Sequence, residues 1–214
     1  MAVTPGEVAV TGGANGTRSL PSRVVPPHQL PSTPDELATE AAARLGWHGV
    51  VLPEIRLLGR KVNLVARLRT VAHAERIAMG VAPVTDRAVV DTWTWPEFVG
   101  SAPAAAVEIV GVLTVQRHWR TGLAALVPFA RYGETAMVLP SAATLTEDYV
   151  DNCLPRARTY GMAVLTADEQ AAVETDLLGH SERLLVTGDP ISRWVNEVAY
   201  ELLLTHDEVP AAVD

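Results

Sequence analysis

The amino-acid sequence predicts an α/β protein in which helices flank a mixed central sheet. Three observations carry this. Residues 104–115, AAAVEIVGVLTV, are apolar on both faces apart from Glu108 and Thr114, the pattern of a central strand covered on both sides. Residues 60–71, RKVNLVARLRTV, alternate with period two. After residue 100, helices and apolar strands take turns, which suits a sheet with helices on its faces.

The elements follow in chain order. Residues 1–33 are rich in Pro, Gly, Ser and Thr without apolar periodicity, so they read as a disordered or loosely attached arm before a single domain, 34–214. STPDELATEAAARLG reads as a helix, with Ser32 or Thr33 as cap, Pro34 in the first turn and Gly46 as stop. HGVVLPEIRLL reads as a strand. It pairs across a Leu58-Gly59-Arg60 turn with a half-buried strand that puts Val62, Leu64, Ala66 and Leu68 on one face. The other face carries Lys61, Asn63, Val65, Arg67 and Arg69.

Residues 70–86 allow a short helix through AHAERIAMG. AVVDTWTWP reads as a strand ended by Pro96, with Asp86 and Asp91 at a turn and a strand surface. QRHWRTGLAALVPFARYG is a helix kinked at Pro128, TAMVLP a short buried strand, and LTEDYVDNCLPRARTYG a helix broken at Pro155. GMAVLTAD is a further strand. The tail carries DEQAAVETDLLG and DPISRWVNEVAYELLL, the latter with Asp189 as cap and Pro190 at its first position.

Composition narrows the function. A chain of 214 residues with 48% hydrophobic content suits one domain with a real core. A net charge of −8 argues against an evenly basic, nucleic-acid-coating surface. Lys61 is the only lysine, so chemistry that needs one has a single candidate. The lone Cys153 excludes an internal disulfide framework and a multi-cysteine zinc site. The N-terminal segment does not read as a secretory signal and no long apolar run occurs, so no membrane association and a cytoplasmic location are expected.

The charge is uneven. Residues 44–87 carry a net +5 and residues 88–214 a net −11. The basic block is a surface for an anionic ligand such as DNA, or one half of a self-complementing domain. VAVTGGANGTR imitates a dinucleotide-binding turn, but Pro21, Pro26 and Pro27 prevent the helix that must follow. No HExxH, G-x-S-x-G or Walker-type loop is present. The tryptophans read as core or groove residues.

The segments VLPEIRLLGRKVNLVARL, VEIVGVLTVQRHWRTGLAALVPFARYGETAMVLP and RARTYGMAVLTAD resemble, in wording and order, the restriction-endonuclease-like PD-(D/E)XK nucleases over about residues 34–168. The resemblance implies that fold and Mg²⁺-dependent phosphodiester hydrolysis. There, an Asp and a Glu on neighbouring strands hold the metal, and a Lys two residues after the Glu orients the nucleophile.

Carried over by position, Glu54 matches the early Glu and Glu108 the central one, which makes them the expected metal ligands. The metal Asp falls on Asn63 and the Lys on Val110. A shifted register places the Glu and Lys on Leu113 and Val115. A Gln-x-x-x-Tyr feature falls on Ala125 and Phe129.

Two readings follow. One is a catalytically decayed nuclease-fold protein acting as a nucleic-acid-binding, regulatory or scaffold protein with no cofactor. The other is a divergent Mg²⁺-dependent nuclease using Glu54, Glu108, Asn63 and a migrated Lys61. Expected nucleic-acid contacts are Arg56, Arg60, Arg67, Arg69, Arg117 and Arg120, and a protein partner is the further possibility. Glu108 is a metal ligand in one reading and the partner of an arginine in the other.

Overall fold

The computed structural model describes residues 29–98, 100–180 and 188–206. Most of the expected arm, residues 1–28, lies outside them. The chain forms a seven-stranded mixed sheet with helices on both faces.

Helix α1, Pro34–Arg44, begins with a capping box. Thr33 accepts from the Glu36 amide, and the Glu36 side chain returns to the Thr33 amide. Strands β1 (Val50–Val51) and β2 (Ile55–Leu57) replace the single expected strand, because Pro53 lacks the N–H that a continuous ladder needs. Both pair antiparallel with β3, Arg60–Leu68. The β2–β3 turn holds Leu58 at φ 47° and Gly59 at φ 74°, the paired positive values of a tight hairpin. β3 is buried on both faces from Val62 to Ala66, not half-buried as its alternation suggests. Asn63 provides the polar interruption on an otherwise two-sided apolar strand.

Helix α2 (Thr70–Met79) ends at Gly80 in a left-handed conformation. The expected strand at 88–96 is instead helix α3, Arg87–Thr92, followed by turns. Asp86 Oδ1 accepts from the Ala88 amide at 2.8 Å, and this cap outweighs the β-branched valines. Of the helix's residues only Val90 is buried, so the local pattern was never truly two-residue.

β4 (Val107–Val115) is the central strand foreseen. It runs antiparallel to β3 and parallel to β5, Glu134–Pro140. Between them α4 (Trp119–Leu126) passes into a 3₁₀ turn at Pro128. A π-helical turn, Tyr149–Cys153, leads into α5 (Leu154–Thr159) and then β6, Ala163–Ala167. β7, Val173–Leu177, closes the sheet antiparallel to β6, and α6 spans Pro190–Thr205.

Two cores result. On one face, Leu37, Ala38, Ala41 and Ala42 of α1 lie with Val65, Leu113, Ala136, Val138 and Leu165. On the other, residues of α4, α5 and α6 cover Leu64, Val112, Met137 and Val164. Trp47 lies across Gly111 so closely that an added Cβ would sit 2.2 Å from the ring. Cys153 is fully buried as a free thiol, and burial pushes its pKa up to about 12. No helix of the described residues is long and apolar enough to cross a membrane.

Candidate functional site

Three of the four expected site residues converge at the hairpin end of the sheet. Lys61 Nζ donates to Glu54 Oε1 at 2.6 Å. Asn63 is 1% exposed, and its Nδ2 donates to Asp35 Oδ1 at 2.8 Å and to the Leu52 carbonyl at 3.1 Å. The Glu54 amide donates to the same Asp35 oxygen at 2.8 Å. Asp35 therefore joins α1 to both strands of the hairpin. Its position in the first turn of a helix gave no hint of a part in the site. No sequence spacing links it to Asn63, which the alternation of β3 set on the face with Lys61 and the arginines.

Glu108 is elsewhere. It faces Arg67 across the β3–β4 ladder, whereas Asn63 faces Leu113. Five residues of strand separate Glu108 from Leu113, about 16 Å at roughly 3.3 Å per residue. Arg67 Nη2 donates to Glu108 Oε2 at 2.8 Å, and the Glu108 side chain is 43% exposed. The carboxylate is neither sealed in the core nor at the hairpin. Hydrogen bonding to Glu108, then its charge, raises the Arg67 pKa above its ordinary value.

The neighbourhood of Asn63 on the next strand is apolar. Leu113 and Val115 are buried in the α1 core, as are Ala136 and Val138. Ala125 and Phe129 are also buried. As arranged, the donor set does not fit a Mg²⁺ ion. Glu54 Oε1 is held by an ammonium, Asp35 Oδ1 already accepts two N–H donors, and Asn63 points N–H groups inward. Among the described residues, no group of three or more His, Cys, Asp or Glu side chains is placed to hold a metal.

The expected nucleic-acid contacts divide between two ends of β3. Arg56 and Arg60 are exposed at the hairpin tip, and Arg56 faces Lys61 directly. Thr114 Oγ1 donates to the Lys61 carbonyl at 3.1 Å, which brings the end of β4, and so exposed Arg117 and Arg120, to this same edge. Arg67 and exposed Arg69 sit at the far end.

The basic block is partly self-complementing. Arg67 pairs with Glu108, and Arg76 is sealed against Glu197, both partners belonging to the acidic remainder. Compared with known proteins, the chain matches no family model, no curated protein and no solved structure.

Proposed function

We propose that this is a non-catalytic protein on a nuclease-like α/β scaffold, binding nucleic acid through the basic hairpin edge. One observation carries the non-catalytic part: the position facing Asn63 on the adjacent strand is Leu113, followed on the same face by Val115, both buried and apolar. Metal-assisted hydrolysis needs charged oxygen ligands where these side chains lie. The binding part rests on the exposure of Arg56, Arg60, Arg117 and Arg120 at one edge. Such cations supply a salt-dependent attraction to phosphates.

The test has two arms. Fluorescence anisotropy with duplex and single-stranded DNA at low salt should show binding that weakens when Arg56 and Arg60 are both changed to Gln. Absence of binding removes the nucleic-acid role and leaves protein partners. Incubation of plasmid with Mg²⁺ or Mn²⁺ should leave it intact. Cutting that Glu108→Ala abolishes would restore the divergent-nuclease reading with Glu54, Lys61 and Glu108.

A further inference from the structure

Arg156 lies outside the contacts the sequence suggested, yet its surroundings favour phosphate binding. Trp119 opens α4 just past the end of β4 and is 5% exposed. Its indole N–H donates to Asp148 Oδ2 at 2.8 Å, which fixes the ring. Two guanidinium groups sit at this ring, Arg120 at 4.5 Å and Arg156 at 5.4 Å from its centroid. An indole face attracts a guanidinium. A head already held in place loses less freedom when it meets an anion.

The two cations are unequally compensated. Arg120 Nη2 donates to Asp148 Oδ1 at 2.8 Å, and Asn152 Nδ2 donates to the same oxygen at 3.0 Å. The Trp119 hydrogen bond, helped by Arg120 and Asn152, holds the Asp148 carboxyl below its usual range. Asp148 is therefore a charged and fully engaged partner for Arg120. Arg156 has no carboxylate partner among the described residues. Glu147 and Asp151, on the same connection, are exposed and pair with neither guanidinium. The loops after β4 and β5 deliver Trp119 and Asp148, and ligands of open α/β sheets gather at the carboxyl ends of strands.

Resting on the nucleic-acid reading above, we propose that Arg156, beside Arg120 on Trp119, contacts a backbone phosphodiester. The nucleic-acid path then runs from the hairpin tip across the carboxyl ends of β4 and β5. Each phosphate contact to a single strand adds about 0.7 to the slope of log affinity against log salt.

The experiment titrates a labelled single-stranded oligonucleotide at several salt concentrations. Arg156→Gln should weaken binding several-fold at low salt and reduce the slope by about 0.7. Arg131 is the control. It lies 5.4 Å from the Tyr132 ring, before the opposite end of β5, so Arg131→Gln removes the same charge from a similar seat. Its slope should match wild type. Thermal melting checks that both variants fold.

Equal slope losses in the two variants overturn the proposed contact but leave the nucleic-acid reading in place. So does an unchanged slope in Arg156→Gln when wild type binds. Failure of wild type to bind removes both.

Discussion

Among the described residues, two ion pairs tie the basic block to the acidic remainder, and they differ in almost everything but chemistry. Arg67–Glu108 lies on the surface, with side chains 57% and 43% exposed. Arg76–Glu197 is sealed, at 1% and 2%. The buried pair is fully furnished. Arg76 Nη1 donates to Glu197 Oε2 at 2.7 Å, its Nη2 donates to Oε1, and its Nε donates to the Ala104 carbonyl at 2.9 Å. Glu197 Oε2 also accepts from the Val84 amide at 3.0 Å, and the Tyr200 ring lies 5.2 Å from the guanidinium. Burial raises the stakes of each hydrogen bond, because an unpaired charge there cannot turn to water. A block that looks like a ligand surface in one dimension is in part the mortar between α2 and α6.

The largest expected effect breaks the sealed pair. Glu197→Ala leaves Arg76 charged and buried without its partner and should cost about 3–5 kcal/mol, read from urea unfolding. The double change Arg76→Met with Glu197→Leu should recover most of it, since apolar replacement of a buried pair is often neutral or better. If the double variant is no more stable than the single one, the cost does not come from the orphaned charge.

Next comes Asn63, buried like Arg76 but neutral. Asn63→Asp supplies the carboxylate that the resembled nucleases carry and sets it against Asp35 Oδ1 and the Leu52 carbonyl, which now receive N–H groups. The loss at pH 7 should be about 1–3 kcal/mol, the scale of an unmade buried hydrogen bond. It should shrink at acid pH, where protonation restores a donor. A loss that does not vary with pH would mean that Asp35 moves away instead.

The same comparison shows what the sequence could reveal. The capping box at Thr33, the Gly59 hairpin and the two-sided apolar run of β4 are local signals, and each was readable. Strand β7 was not read as a strand: VETDL alternates, but its Glu and Asp disguised it. α3 was not readable either, because a valine pair looks like a strand until Asp86 is seen to cap it. The convergence of Asp35, Asn63 and Glu54 depends on how α1 packs on the hairpin, which no spacing encodes. Glu108 looked buried because its strand is central. It lies near the strand's end, where Arg67 and solvent reach it.

A smaller effect concerns Asp148, whose surface pair with Arg120 is reinforced by the Trp119 N–H. Its pKa is depressed in the folded state, so its stabilising contribution is present above the ordinary carboxylate value, about 3.9. It is lost as pH falls through the lower folded value. Wild type should therefore lose stability below about pH 4, and Asp148→Asn should flatten part of that fall. Identical acid profiles would mean that the carboxylate contributes no folding energy.

The smallest effect belongs to the other half of the opening comparison. Arg67→Ala breaks an ion pair with the same partner types as Arg76–Glu197, yet its urea midpoint should match wild type within error. Both groups keep their water, so the released Glu108 is hydrated rather than stranded. Raising the salt concentration should likewise leave wild type and variant together, because there is little attraction to screen. A midpoint drop approaching that of Glu197→Ala would show that the β3–β4 ladder itself depends on this pair. The bulge between Val65 and Ala66, one step before the Arg67–Glu108 pairing, would then be the place where the ladder opens.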